Sequence, residues 1–234
     1  MNKKLLIFIV TYNSSFRLKL ILKKIQKIKK IDYKILISDD CSNDDTSNYI
    51  PTQNKKIYIN INKRNLGYGG NIKKCINFAI KKKFDYAVMI HGDNQYDASY
   101  IPKLYKVLRK YNNVDAVTGS RMKNFKSALN GKMPLYKFIG NYILTKIFNL
   151  YFNTSFTDAH TGLWMYNLQS LKDIKFNNLD SKFNFDNQLR IQFIKSNKKI
   201  IEMPIKTYYR NEKSSFHFIY SIKYLIDIFF NKKV

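Results

Sequence analysis

The chain has 234 residues, 45% of them hydrophobic, and a formal net charge of +26. This length allows a buried core, and the abundance of Phe, Tyr, Ile and Leu excludes a disordered chain. No stretch reaches the roughly 20 apolar residues of a membrane-spanning helix, and two cysteines predict no disulfide framework.

Apolar runs alternate with amphipathic stretches along residues 1–120. Strands are predicted over residues 5–10, 33–38, 56–61, 85–90 and 114–118, and helices over 14–30, 44–50, 69–83 and 98–111. This alternation predicts an α/β fold with a mostly parallel sheet flanked by helices. Ligands of such sheets bind beyond the carboxyl ends of the strands, so the residues after each strand are the candidates for function.

The rest of the chain is less regular. Helices are predicted over residues 135–152, 185–196 and 216–230, and strands over 163–167 and 199–203. No repeat or linker-like segment interrupts the sequence. We therefore predict a single domain with a C-terminal elaboration.

Polar segments follow the first two strands. Thr11 and Tyr12 come after the first, where neither G-x-G-x-x-G nor a Walker-type loop is present, which counts against dehydrogenases and P-loop enzymes. Asp39 and Asp40 end the second, where carboxylates are able to accept hydrogen bonds from a base and a ribose. The alternative is a helix-capping turn, the role we expect for Asp44 and its neighbours.

Glycines follow the third strand, and potential metal ligands follow the fourth. Gly67 and Gly69 open a helix, where they allow a phosphate to approach the backbone or simply form a loop. His91, Asp93 and Gln95 alternate, so an extended backbone would place these three cation ligands on one side. Capping of the next helix is the alternative for Asp93 and the preferred interpretation for Asp97.

In this order and at these strand ends, the segments resemble family 2 glycosyltransferases, especially the branch of dolichol-phosphate mannose synthase. The resemblance covers residues 4–215. Residues 38–46 match D-D-x-S-x-D-x-T, residues 65–69 match N-x-G-x-G, and residues 91–95 stand at the D-x-D-x-Q metal motif. Residues 119–121, 158–162 and 210–215 match later G-S-R, D-x-x-[ST]-G and R-x-x-x-S segments.

The sequence departs from the family pattern at several positions. Val10 and Ser14 replace the usual Pro and Glu, and His91 replaces the first Asp of the metal motif. Leu163 and Trp164 stand where many relatives carry an aromatic residue and an Arg. Imidazole also binds Mn²⁺, but one negative charge is lost at the metal motif.

The resemblance implies a GT-A fold and an inverting, metal-dependent hexosyltransferase. It would move a sugar from a UDP- or GDP-sugar to a polyprenyl phosphate, with Mg²⁺ or Mn²⁺. A sugar hydroxyl in polysaccharide synthesis is the alternative acceptor, and an inactive scaffold is the other alternative. Residues 1–125 would bind the nucleotide sugar, residues 126–215 the acceptor, and residues 216–234 would form an amphipathic helix.

The resemblance also implies roles for individual residues. A lipid phosphate needs no general base, whereas a hydroxyl acceptor does, with Asp158 the first candidate and His160 the second. Arg64, Arg121 and Arg210 would contact phosphate oxygens. The donor-binding set is Thr11, Tyr12, Asp39, Asp40, Arg64, Gly67 and Gly69; the catalytic set is Asp93, Arg121, Asp158 and Arg210; the metal set is His91, Asp93 and Gln95.

The dispersed positive charge favours anionic partners, although an AT-rich gene explains the Lys excess equally well. Nucleic acid is not expected, because its binding proteins cluster their basic residues. The helices over 135–152 and 216–230 carry apolar faces flanked by Lys, which suits the inner surface of the cell membrane. Packing on the domain is the alternative. We expect a cytoplasmic peripheral protein, with a separate membrane protein as a possible partner.

Overall fold

The computed structural model describes residues 3–111, 113–124, 131, 133–207 and 209. Arg210 and the predicted helix over residues 216–230 therefore lie outside the described residues. The described strands are β1 (Leu5–Thr11), β2 (Tyr33–Asp39), β3 (Ile57–Ile61), β4 (Tyr86–His91), β5 (Ala116–Ser120), β6 (Trp164–Asn167) and β7 (Ile200–Pro204). The helices are α1 (Phe16–Gln26), α2 (Tyr68–Lys81), α3 (Ile101–Lys110), α4 (Leu135–Phe152) and α5 (Phe185–Lys195).

The seven described strands form one sheet in the order β3-β2-β1-β4-β6-β5-β7. β6 runs antiparallel to both of its neighbours, and the other pairs are parallel. The predicted α/β fold with a mostly parallel sheet is thereby confirmed. The antiparallel direction of β6 was not part of that prediction. Because β6 is reversed, the chain that leads into it lies at the same edge as the carboxyl ends of β4 and β5.

The core lies on both faces of the sheet because β1 is apolar from Leu5 to Val10 and fully buried. Its odd-numbered residues, such as Ile7, pack with α1 and α3. Its even-numbered residues, such as Phe8, pack with α2 and α5. The central strands therefore have helices on both sides, and the polar loops between these elements lie at the two edges.

Several predicted helices differ in detail from the structure. Residues 45–49 form a 3-10 turn capped by Asp44, and Pro51 follows it closely. Residues 98–100 form another, capped by Asp97, before α3 begins at Ile101. Within the described residues, no helix combines the length and apolar character needed to cross a bilayer.

Candidate active site

The carboxyl ends of β2, β1 and β4 meet at one edge of the sheet, as the sequence predicts. Thr11 pairs with Asp39, and Val10 pairs with His91. Backbone hydrogen bonds continue past the strand ends, from the amide of Asp40 to the carbonyl of Thr11 and from Gly92 to Val10. The segments that carry Asp39, Asp40 and Asp93 are thus brought to the same edge.

Asp39 and Asp40 are both buried, and their carboxylates accept hydrogen bonds from different parts of the protein. Asp39 closes the turn that follows it by accepting hydrogen bonds from the amide and the hydroxyl of Ser42. Asp40 uses Oδ1 to accept from the Asn62 side chain and from the amide of Leu66, both at 2.8 Å. The carboxylate of Asp40 is therefore fixed on one side by the protein.

A buried polar layer beneath Asp40 was not anticipated from the sequence. The Asn71 side chain donates to the carbonyl of Ser38 at 2.9 Å and accepts from its hydroxyl at 2.6 Å. Asn62, which holds Asp40, also contacts Asn71, and Lys74 donates to Asn62 at 2.6 Å. Asn60 and Asn62 alternate at the end of β3, which is the one sequence signal for this layer.

The glycines after β3 approach the chain's own backbone. Gly67 has φ 78°, and a Cβ atom built on it would lie 2.5 Å from the carbonyl oxygen of Ser181. A Cβ atom on Gly69 would lie 2.4 Å from the carbonyl oxygen of Asp180. The expectation that Gly67 and Gly69 bring a phosphate to the backbone therefore finds no support here, since these glycines let α2 pack against residues 180–182.

The predicted metal motif is a turn, so the argument from an extended backbone was wrong. The amide of Asn94 bonds to the carbonyl of His91, and Asn94 has φ 59°. Asp93 accepts from the amide of Gln95 at 2.9 Å. The His91 ring packs instead against Tyr68 and Tyr96. In the described part of the chain, no three His, Cys, Asp or Glu residues are grouped to hold a metal.

Arg121 and Asp158 form a buried ion pair beyond the end of β5. The guanidinium reaches both carboxylate oxygens, at 2.7 and 2.8 Å, and also contacts Tyr209 and the carbonyl of His160. Burial alone would raise the pKa of Asp158, but Arg121 holds it well below its ordinary value. Asn141 adds a hydrogen bond to the same carboxylate.

This geometry corrects two expectations. Arg121 was expected to contact phosphate, but its donors are directed at Asp158, Tyr209 and a carbonyl. Asp158 was expected to be the first candidate for a general base, but a carboxylate with a strongly lowered pKa is a poor proton acceptor. The pair joins the turn after β5 to residues 157–160 and supports the wall of the site.

Asp186, at the start of α5, was missed by sequence reasoning. It is 9% exposed, and its Oδ2 accepts a 2.6 Å hydrogen bond from the Tyr68 hydroxyl. Its Oδ1 has no hydrogen-bond partner among the described residues. Burial raises the pKa of Asp186 to about 6, against the lowering effect of the Tyr68 hydrogen bond. A lone acidic residue in a helix's first turn gives no sequence signal beyond a favourable helix dipole.

The positions of the remaining predicted site residues neither support nor contradict the roles expected for them. His160 bonds through Nδ1 to Asn187 at 3.1 Å, and burial lowers its pKa to about 4. Thr11 is buried at the end of β1, and Tyr12, which follows it, is 50% exposed. Arg64, after β3, is exposed. Their roles in donor binding stay predictions.

Comparisons with known proteins agree with this architecture. Residues 6–175 match the sequence profile of glycosyl transferase family 2. A protein of Methanocaldococcus jannaschii is 31% identical over 84% of this chain and 86% of its own length. The UDP-N-acetylglucosamine–dolichyl-phosphate N-acetylglucosaminyltransferase of Methanococcus voltae is 30% identical over 62% of this chain and 57% of its own length.

Two solved structures resemble the fold at low sequence identity. Glucosyl-3-phosphoglycerate synthase of Mycobacterium tuberculosis, crystallised with Mn²⁺, UDP and phosphoglyceric acid, has a TM-score of 0.70 at 9% identity. The match covers 97% of this chain and 78% of that one. A mannosyltransferase of Pyrobaculum calidifontis, in complex with GDP-Man and Mn²⁺, has a TM-score of 0.66 at 13% identity and covers 97% and 63%.

The structural likeness shows the GT-A fold, and the profile match spans well over half of the chain. The strand-end motifs, the sheet order and these matches lead to one conclusion: this chain belongs to glycosyl transferase family 2.

Proposed function

We propose that this glycosyltransferase moves a sugar, with inversion, from a UDP- or GDP-sugar to a polyprenyl phosphate at the inner surface of the membrane. The observation that carries the proposal is the meeting of Asp39, Asp40 and Asp93 at the ends of β2 and β4, on either side of β1. Adjacent strands lie about 4.8 Å apart, so the ends of β2 and β4, which lead to these residues, stand roughly 10 Å from one another. That separation suits a nucleoside held at one end and its diphosphate at the other.

The nucleoside end is formed by residues after β1 and β2. Asp39 shapes the turn, and Asp40, fixed through Oδ1, is left with Oδ2 to accept a hydrogen bond from the base. Tyr12 is exposed beside this loop, where its ring is able to cover the base. Arg64, after β3, is the exposed cation that we assign to phosphate oxygens.

The diphosphate end centres on Asp93. Mg²⁺ and Mn²⁺ in such sites are commonly held by one or two carboxylates together with substrate phosphates, so a single carboxylate fits. Asp93 and Gln95 are the residues that would hold the ion. When bound, it neutralises the negative charge that develops on the leaving nucleoside diphosphate. The turn after β4 orients Asp93 through the amide of Gln95.

The acceptor assignment is supported by α4. One side of this helix exposes apolar residues, with Leu150 87% and Leu135 65% exposed, and Lys146 lies on the same side. An apolar helix face carrying Lys suits the boundary between lipid headgroups and acyl chains. The Methanococcus voltae relative is named for a dolichyl-phosphate acceptor. We therefore place the protein peripherally on the cytoplasmic face of the membrane.

A sugar hydroxyl is the second candidate acceptor, and Asp186 favours it. A hydroxyl must lose its proton as it attacks the sugar, whereas a lipid phosphate is already ionised near neutral pH. Asp186 is buried, keeps Oδ1 unpartnered among the described residues, and has a pKa near neutrality, which are properties of a general base. Asp186 replaces Asp158 in that role.

The test combines donor binding with transfer. Cys41 is exposed in the turn after Asp40, and Cys75, the other cysteine, is buried. Alkylation of Cys41 should therefore slow when the correct nucleotide sugar binds with Mn²⁺. The same donor is then assayed for transfer to dolichyl phosphate in vesicles and to a panel of soluble sugars.

Asp93→Asn should lower metal-dependent transfer by at least a hundredfold and weaken the metal-dependent part of Cys41 protection. Asp173→Asn is the matched control, because Asp173 is exposed and, in the part of the chain that the structure describes, pairs with the surface residue Lys198. Full metal-dependent transfer by the Asp93 variant, or no protection by any nucleotide sugar, would contradict the proposal.

A further inference from the structure

A hydrogen-bonded chain connects the end of β4 to the starts of α2 and α5. The His91 ring nitrogen Nε2 lies 3.0 Å from the carbonyl oxygen of Gly162 and 3.0 Å from the Tyr68 hydroxyl. The Tyr68 hydroxyl in turn donates to Asp186 at 2.6 Å. These residues are separated by up to 118 positions in the sequence.

The acceptors at the two ends of this hydrogen-bonded chain determine which atom carries each proton. A carbonyl oxygen only accepts, so the contact with Gly162 requires a proton on Nε2 of His91. Tyr68 has a single hydroxyl proton, which it gives to the carboxylate of Asp186. The Tyr68 oxygen therefore accepts from His91, and Nε2 has no lone pair to offer a cation.

Packing holds the His91 ring in this orientation. Tyr96 meets it edge to face with centroids 5.1 Å apart, and the Tyr96 hydroxyl accepts from the amide of Gly162. A Cβ atom on Gly162 would lie 2.7 Å from Nε2 of His91, so only glycine permits the contact. Phe183 stacks on the Tyr68 ring, with centroids 5.4 Å apart and an angle of 20° between the planes.

We propose that His91 is a positioning residue, which holds the Tyr68 hydroxyl on Oδ2 of Asp186 and so leaves Oδ1 for the acceptor. His91 does not ligate the metal through Nε2. The side chain at the first position of the metal motif thus serves the acceptor half of the site, while Asp93 serves the donor. This inference rests on the proposed glycosyl transfer in its form with a hydroxyl acceptor, for which Asp186 is the base.

Kinetics of four variants test the role. In transfer to a hydroxyl acceptor, His91→Ala and Tyr68→Phe should each lower kcat about tenfold or more, with the donor KM and the half-activating Mn²⁺ concentration unchanged within about twofold. His91→Gln should recover much of the loss, because its amide NH₂ is able to replace the Nε2 donor. The double variant His91→Ala/Tyr68→Phe should be no slower than the slower single variant, because both break the same chain.

A measurement without turnover separates this inference from the proposed function. The chain has three histidines, so the ¹⁵N resonances of His91 are assigned by comparison with His91→Gln. Nε2 should stay protonated when diamagnetic Mg²⁺ and UDP are added. Thermal melting of each variant checks that it is folded.

Two results would overturn the inference. One is loss of the Nε2 proton on adding Mg²⁺ and UDP. The other is a tenfold or larger rise in the Mn²⁺ requirement of His91→Ala, which would make His91 a ligand. If the wild type transfers no sugar to any acceptor, the proposed function fails, and the NMR result still decides the state of His91.

Discussion

At the scale of single residues, the buried carboxylate of Asp186 lowers the stability of the fold and is the proposed general base. Its burial raises the pKa to about 6, so above that pH the folded protein holds a charge that the unfolded chain would solvate better. Its Oδ1 has no partner among the described residues, and Tyr68 relieves only the other oxygen. Such a group weakens the fold at neutral pH, which is a common property of residues kept for function.

Replacing Asp186 with Asn should stabilise the protein and damage one kind of catalysis. The pKa of Asp186 is raised in the fold, so its contribution to stability is present below the unfolded pKa and is lost as pH rises through about 6. The variant should therefore gain about 3 kcal/mol in unfolding free energy at pH 8, because the folded pKa lies about two units above the ordinary value, and most of this gain should vanish near pH 4. Urea unfolding at both pH values measures it.

Asp173→Asn serves as the control for this prediction, because its exposed carboxylate should give no comparable gain. Transfer to a hydroxyl acceptor by Asp186→Asn should fall about 100-fold or more, whereas transfer to a lipid phosphate should fall much less. An Asp186→Asn stability difference that is the same at pH 8 and pH 4 would contradict the assigned ionisation.

At the scale of elements, α4 exposes a group of apolar residues on one side and packs against the domain on the other. Thr145 and Phe148 are buried, while Ile139, Ile143 and Leu150 on the other side are exposed. Steps of three and four residues put the exposed group on one stripe. Packing on the domain is therefore seen on one side of the helix, and contact of the other side with the membrane stays a prediction.

The exposed stripe of α4 should bind anionic vesicles. The double variant Ile139→Ser/Ile143→Ser should lower partitioning into vesicles rich in phosphatidylglycerol by about tenfold or more, since it removes apolar area from the bilayer contact. Ile59→Ser/Ile61→Ser on β3 is a matched control with similar exposure, and it should bind as the wild type does. Sedimentation at physiological salt measures both, and equal binding by the two double variants would contradict the membrane contact.

The sequence predicted the elements well where one physical signal dominates. Apolar runs such as residues 5–10 and 85–90 read as buried strands, and the residues after them meet at one edge because parallel strands share a direction. The strand over residues 163–167 was predicted, but its reversed direction was not, because the sequence of a short strand does not indicate which way it runs in the sheet. The 3-10 turns at residues 45–49 and 98–100 were predicted as α-helices, because 3-10 and α-helices share capping residues and short apolar spacings.

The site was predicted less well because its contacts are long-range. Asp39, Asp40 and Asp93 are marked by their positions at strand ends. The contact of Tyr68 with Asp186 spans 118 positions, and nothing local indicates it. His91 and Arg121 were matched to motif positions, yet their side chains are directed by Gly162 and Asp158, which only the folded chain brings near them.

At the scale of the whole molecule, the net charge of +26 is the dominant electrostatic property. Like charges spread over a compact protein repel one another, and unfolding relieves that repulsion. Salt screens the repulsion over a Debye length of about 10 Å at 0.1 M. The same charge attracts an anionic membrane, so one property of the sequence both weakens the fold and favours its proposed location.

The melting temperature should therefore rise by several degrees as KCl increases from about 20 to 300 mM at pH 7, because the Debye length shortens over this range. Near the sequence pI of about 9.9 the net charge is small, so the same salt increase should have little effect. Differential scanning fluorimetry measures both series. A melting temperature that is insensitive to KCl at pH 7 would contradict a fold weakened by self-repulsion.

The position of β6 between β4 and β5 has a consequence for synthesis on the ribosome. β5 is made early, but both of its neighbours, β6 and β7, are made later. A nascent chain that ends before residue 164 holds an open edge on β4 and a β5 strand with no partner. Open strand edges invite pairing with other chains, so the emerging polypeptide carries this aggregation risk until β6 and β7 are made.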